Sequence, residues 1–201
     1  MRIPPPKGFA NAKLRIHQIQ VGEQFGRVYL ARHSDPLGFG KTPSRFSDPS
    51  RRVDRNRFGV LYLGQTVKVC FLEAVLRDRH DGEFGDLPIG EDELTSRHYA
   101  VIKTNSPIRM VDLRSGSAVA MGVPTDVAKA ASHSLARKWS AAFHDHPDQP
   151  DGIIYPSRLN GHTNLAVYDR AVGMLTAVAT MSLLEAPGLP EVLNDLRVSL
   201  A

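Results

Sequence analysis

Glu73 is the only charged residue in the run Val69-Cys70-Phe71-Leu72-Glu73-Ala74-Val75-Leu76. The pattern predicts a helix over Val67 to about Arg79 that is apolar nearly all round and therefore largely buried. A carboxylate buried without a partner is costly. Glu73 must therefore either pair, with Arg77 at i+4 within reach, or open into a polar cleft. There it would be an acid at the wall of a site. The pattern alone leaves a structural ion pair and a site wall both open.

Other reactive residue types are sparse or poorly spaced. Cys70 is the only cysteine, so no internal disulfide can form, and its neighbours mark it as a small buried hydrophobe. No Cys/His array has zinc spacing, and "HDHPD" (His144 to Asp148) offers two imidazoles without a third ligand. It reads as the C-terminal flank of a helix, and no metal site is expected. No Gly-x-Gly-x-x-Gly follows a strand and no P-loop is present. The densest basic cluster, "RRVDRNR" (Arg51 to Arg57), reads as a solvated loop or a phosphate-contacting one.

These residues need elements to position them. "FGRVYLARH" (Phe25 to His33) and "FGVLYLG" (Phe58 to Gly64) read as strands, separated by a long polar loop from Ser34 to about Arg57. Thr66 is the expected N-cap of the Glu73 helix. "HDGEFGDLPIGEDEL" (His80 to Leu94) is an acidic surface loop, and "HYAVIKTN" and "IRMVDLRS" are two further strands. A short helix follows Ser115. A longer one is expected over Pro124 to His146, capped by Thr125, with Val127, Ala131, Leu135 and Trp139 at four-residue spacing. "GIIYPSR" and "NLAVYDRA" are again strand-like. The tail holds an apolar run from Leu175 and a short helix after Pro187. Residues 1–24 are expected as an N-terminal arm, its first thirteen residues loose, and 25–201 as one α+β domain.

Bulk composition agrees with one folded domain. The chain has 201 residues, 42% hydrophobic and 23% charged, enough for a core. The net charge of +4 suits an anionic ligand, nucleic acid or an acidic partner. No apolar run approaches the ~20 residues of a membrane span, and the start "MRIPPPKGFA" has no signal-peptide core. The expected compartment is the cytoplasm.

The ordered landmarks "GRVY" (Gly26 to Tyr29), "SRFSDP" (Ser44 to Pro49), "VLYLGQT" (Val60 to Thr66), "CFLEAVLRD" (Cys70 to Asp78) and "IIYPSR" (Ile153 to Arg158) resemble the RES domain family, over roughly residues 25–172. Each motif is short; their order, and a tyrosine eleven residues before the acid, carry the resemblance. It implies a fold similar to ADP-ribosyltransferase toxins, with small mixed or antiparallel sheets flanked by helices and NAD bound in a cleft between them. It implies cleavage of the nicotinamide–ribose bond, with ADP-ribose passed to water, phosphate or a protein side chain. NAD is then a substrate, and no true cofactor is expected. The typical partner in the family is a helix-turn-helix antitoxin, and homo-oligomers occur.

Residue by residue, the resemblance assigns Glu73, Arg27 and Tyr62 to catalysis, and Arg27, Arg45, Tyr62 and Ser157 to NAD. Cleavage gives an oxocarbenium-like sugar that a carboxylate stabilises. Guanidinium groups suit the pyrophosphate, Tyr62 could stack on nicotinamide, and Ser157 could hold the ribose or set the carboxylate. The basic insertion before Tyr62 leaves Arg51 or Arg52 as alternatives to Arg45. The competing reading is a non-enzymatic basic module that binds nucleic acid or an acidic protein through Arg51–Arg57.

Overall fold

Some strands consecutive in sequence pair in the main sheet while others lie far apart in it, and this mixture decides the shape of the molecule. The computed structural model describes residues 3–50, 54–77, 79, 81–82 and 84–201. In chain order the elements begin with β1 (Ile16–Ile19), β2 (Gln24–Leu30), β3 (Val60–Gly64) and α1 (Val67–Phe71), which runs into a π-helical turn (Leu72–Leu76). Next come β4 (Leu87–Ile89), α2 (Glu91–Thr95), β5 (Arg97–Thr104), β6 (Ile108–Asp112), α3 (Ser117–Ala120), α4 (Asp126–Lys129) and α5 (Ser134–His144). The chain ends with β7 (Gly152–Pro156), β8 (Thr163–Tyr168), β9 (Leu175–Ser182), α6 (Leu189–Asp195) and β10 (Val198–Leu200). This is the expected α+β domain, but eight of its strands share one sheet, in the order β1-β6-β7-β8-β3-β2-β5-β9. Only β6 and β7 pair in parallel within it, and β4 and β10 form a separate parallel pair.

The sheet coils. β1 is one edge and β5 lies next to the other, yet Thr104 at the end of β5 accepts from Gly22 and gives its hydroxyl to Gln20, both in the β1–β2 turn. The concave face is filled by Ile19, Phe25, Leu61, Leu63, Ile102, Met110 and Val167 from both halves. Helices cover the convex face in two groups. Leu135, Trp139 and Phe143 of α5 pack on Val60, Ile153, Tyr155 and Tyr168. On the other half, α1, the π turn and α6 pack on Tyr99. The candidate residues lie between these groups.

Several elements depart from the sequence pattern, for local reasons. The helix expected over 124–146 is interrupted, because Ala130 is extended with ψ 146°. Thr125 stands at the start of α4 without a side-chain cap bond. β1, β4 and β10 are three or four residues long, too short to show a period. The arm is docked: Phe9 meets Trp139 edge-on at 5.0 Å, and the indole Nε1 donates to the Ile3 carbonyl at 3.0 Å. The long loop after β2 is anchored too, by a Gly40–Val60 bridge and by the fully buried Phe46 and Ser47. No helix among the described residues is long and apolar enough to cross a membrane.

Two glycines set how closely α1 lies on the sheet. A Cβ on Gly64 would stand 2.6 Å from Val69 Cγ1 and 2.7 Å from Cys70 Sγ, and one on Gly26 would stand 3.0 Å from Cys70 Sγ and 2.6 Å from the hydroxyl of Tyr99 on β5. Gly64→Ala must push α1 outward, so chemical denaturation should show a loss of about 1–3 kcal/mol, the usual range for overpacking. Gly173→Ala, with nothing within 4 Å, serves as the control and should change stability by less than about 0.5 kcal/mol.

Candidate active site

The Glu73 helix begins as the sequence predicts and ends otherwise. Thr66 Oγ1 accepts from the Val69 N–H at 3.2 Å, capping α1. After one turn the ladder widens, and Arg77 N donates to Leu72 O, five residues back, at 2.7 Å. The π register keeps Leu72, Val75 and Leu76 in the core while Glu73 and Ala74 line a cavity on the other side. Single π turns of this kind occur often at functional sites. The turn closes at Arg77, which takes up φ 50°.

The i+4 ion pair is not what holds Glu73. Arg77 donates its Nε to the Glu73 backbone carbonyl at 3.2 Å. The carboxylate instead takes two neutral donors on one oxygen, Ser157 Oγ at 2.7 Å and Asn164 Nδ2 at 2.9 Å, both to Oε1. Both donors come from the β7–β8 hairpin, whose register sets Tyr155 opposite Asn164 and Pro156 opposite Thr163. Ser157 N donates to His162 O and Gly161 N to Ser157 O, closing the hairpin loop. Ser157 Oγ also accepts from Leu159 N at 3.1 Å.

The cavity, about 540 Å³, lies in the range of small-molecule and cofactor sites. It opens where β2 and β3 part, since their register holds a single pair, Gly26 with Gly64. Among the described residues Glu73 is the only acid in its lining, with Arg27, Arg45, Arg77, Arg158 and His133. Burial first, then the charges of Arg45, Arg137 and Arg77, lower the His133 pKa against the pull of Glu73. Its imidazole is therefore neutral at pH 7. One wall is apolar, built from Val28, Ala74 and Leu159.

The residues assigned from sequence converge unequally. Arg27, Arg45, Tyr62 and Glu73 all line the cavity, while Ser157 lies behind the carboxylate. Arg45 Nη1 donates to Ala130 O at 2.7 Å and so ties the 130–133 loop, with His133, to the cavity wall. Arg27 donates to the carbonyls of Pro36 and Gly38, fastening the loop after β2. Burial lowers its pKa, with Asp35 and Tyr29 opposing. The Tyr62 hydroxyl bonds to Ser44 Oγ at 2.9 Å and accepts from Phe46 N at 2.8 Å. Burial pushes its pKa up to about 12, so it is a neutral phenol that pins the "SRF" segment. Cys70 also lines the cavity, and burial pushes its thiol up to about 12, which rules out a thiolate nucleophile at neutral pH. Arg51 and Arg52 lie outside the described residues.

Asn164, His133 and Arg158 were not singled out from the sequence. Asn164 left a trace there as a polar residue opening an apolar strand, with Ala166 and Tyr168 at alternate positions, and Arg158 as the last residue of the "IIYPSR" landmark. The "HDHPD" histidines are structural: His144 stacks on Phe58 at 4.2 Å, and buried His146 bonds to Ala12 O at 3.1 Å. Among the described residues, no group of three or more His, Cys, Asp and Glu could hold a metal ion.

Comparison with known proteins gives this geometry a context. Residues 21–187 match the RES domain. A Sinorhizobium fredii protein named "Probable toxin y4kH" is 44% identical over 110 residues, which make up 55% of this chain and 87% of that protein. In the crystal structure of the M. tuberculosis MbcT–MbcA toxin–antitoxin complex, one chain superposes with a TM-score of 0.65 at 18% identity. The match covers 96% of this chain and 98% of that one, and at this identity it is a likeness of fold.

Tyr62→Phe removes the acceptor of the Phe46 N–H and the partner of Ser44. Chemical denaturation should show a loss of about 1–3 kcal/mol, the penalty for an unsatisfied buried donor. Exchange of the Phe46 amide with deuterium should speed up alongside it.

Proposed function

The chain belongs to the RES domain family, and from that premise we propose that it is the toxin of a toxin–antitoxin pair, an enzyme that consumes NAD. The observation that carries the reading is Glu73: a carboxylate, anchored through Oε1, in a cavity whose other charged lining groups, among the described residues, are cationic. A dinucleotide suits such a cavity, with its pyrophosphate on the guanidinium wall and a base against the apolar one.

The reaction breaks the bond between the ribose C1′ and the nicotinamide nitrogen. The nicotinamidium leaves as neutral nicotinamide with the bonding pair, and positive charge passes to the ribose. Glu73 Oε2, unused by Ser157 and Asn164, stabilises that charge where it develops. Arg45 holds the phosphates and Tyr62 presents a ring face to the nicotinamide. Arg27 keeps the loop after β2 closed against the site. The acceptor of ADP-ribose is water, phosphate or a protein side chain.

The partner in this reading is a helix-turn-helix antitoxin. The MbcT–MbcA structure is a toxin bound to its antitoxin, and a basic cavity rim offers charge complementarity to an acidic antitoxin segment.

Purified protein incubated with NAD, with and without phosphate, tests the reading by mass spectrometry. Free nicotinamide should appear with ADP-ribose or ADP-ribose-1″-phosphate. Glu73→Ala should slow NAD loss on the order of 10²–10³-fold, the effect typical of removing an electrostatic stabiliser, while remaining folded. Full activity in the folded variant would refute the role given to Glu73. NAD left intact by the wild-type protein, in buffer and in cell lysate, would refute the enzyme reading. In cells, expression without an antitoxin should deplete NAD and stop growth, and the Glu73→Ala variant should do neither.

A further inference from the structure

The donors on Glu73 are neutral, buried, and gathered on one oxygen. Ser157 and Asn164 are each only 4% exposed. The Ser157 hydroxyl gives its one proton to Glu73 and accepts from Leu159 N, so it has no proton left for a substrate. The Asn164 amide reaches the same Oε1 from the middle of the sheet. There its backbone is registered against Tyr155 of β7 on one side and Gly64 of β3 on the other. Gly64 in turn lies under α1, the helix that leads into Glu73. The acid and its two donors thus sit on elements that cannot shift independently. A glutamate carboxyl otherwise rotates broadly about its last torsion, and two convergent donors remove that freedom.

We propose that Asn164 is a positioning residue: together with Ser157 it fixes Glu73 by Oε1 and reserves Oε2 for the ribose of the substrate. This rests on the reading of Glu73 as the acid of an NAD-consuming site. Both oxygens would reach a substrate if the anchor were absent, with the charge smeared over several orientations. With it, one oxygen faces the cavity in a set direction, which is how preorganised charge favours the transition state over the ground state. Asn164 suits the task because its amide donates without adding charge beside a carboxylate. A lysine there would neutralise the acid, and an ionised carboxyl would repel it.

Two measurements test this separately from the NAD reading. The first needs no substrate: the side-chain ¹³C carboxyl resonance of Glu73 is expected to be sharp in the wild type and to move or broaden in Asn164→Ala. The second is steady-state NAD loss. Asn164→Ala should lower kcat on the order of 10²-fold, the scale for a misplaced group, and leave KM within about threefold, as expected when an interaction made mainly in the transition state is lost. Asn164→Asp is isosteric and keeps the test open if the alanine variant misfolds. Its new carboxyl can donate to Oε1 while protonated and must repel Glu73 once ionised. Its activity should therefore fall as pH rises, relative to wild type measured over the same range. An unmoved Glu73 resonance in both variants, or a kcat within about twofold of wild type at every pH in both, would overturn the assignment. A resonance that responds to Asn164 in a protein that leaves NAD intact would uphold the anchor and overturn the NAD reading instead.

Discussion

A carboxylate in a helix of Val69, Cys70, Phe71, Leu72, Val75 and Leu76 needs hydrogen-bonding partners or a polar opening, and half-buried Glu73 has both. The β7–β8 hairpin supplies the partners, two neutral donors on Oε1. Much of the fold serves to bring that hairpin and that helix together. The sheet order puts β8 beside β3, β3 leads directly into α1, and Gly64 lets α1 lie close enough for Glu73 to reach Ser157 and Asn164. The π turn completes the fit, keeping its apolar residues in the core and Glu73 on the cavity. A neutral anchor also leaves the acid's charge uncancelled, where a buried ion pair with Arg77 would have spent it.

The second constraint is the parting of β2 and β3 after a single pair. Strands that separate inside a sheet expose backbone and create a wedge, which here becomes the cavity. The loop after β2 is fastened over the opening by Arg27 and by the Tyr62 hydroxyl, and the 130–133 loop by Arg45. Each of these side chains bonds to backbone while bordering the cavity, so the walls are set before any ligand arrives. Among the described residues the lining carries four guanidinium groups and one carboxylate, and in the proposed function this charge pattern suits an anionic ligand with a cationic centre at Glu73. Burial first, then Arg45, Arg137 and Arg77, lowers the His133 pKa.

The α+β class, most strands, and the Thr66 cap were legible in the sequence because they rest on local patterns and on a cap with a direct hydrogen bond. The unusual placement of Glu73 was legible as well, as a conflict between one residue and its surroundings. Its resolution was half legible: the family resemblance offered Ser157 as a residue that could set the carboxylate, but no pattern pointed to Asn164, which lies 91 residues away and reaches Glu73 only through sheet topology. The same holds for the π turn, since a widened helical register leaves the apolar pattern almost unchanged. The break at Ala130 was hidden by four-residue periodicity, which two short helices share with one long one. The docking of the N-terminal residues depends on Phe9 finding Trp139, a contact that no local pattern reveals.

The most direct test of the account is a crystal structure with carba-NAD, an analogue whose nicotinamide bond cannot be cleaved. The account predicts density in the β2–β3 wedge, with the carbon that bears nicotinamide facing Glu73 Oε2, the pyrophosphate on the guanidinium wall, and the Ser157 and Asn164 bonds to Oε1 unchanged. A ligand bound elsewhere, or one that displaces Asn164 from Glu73 to make its own contact with Oε1, would contradict it.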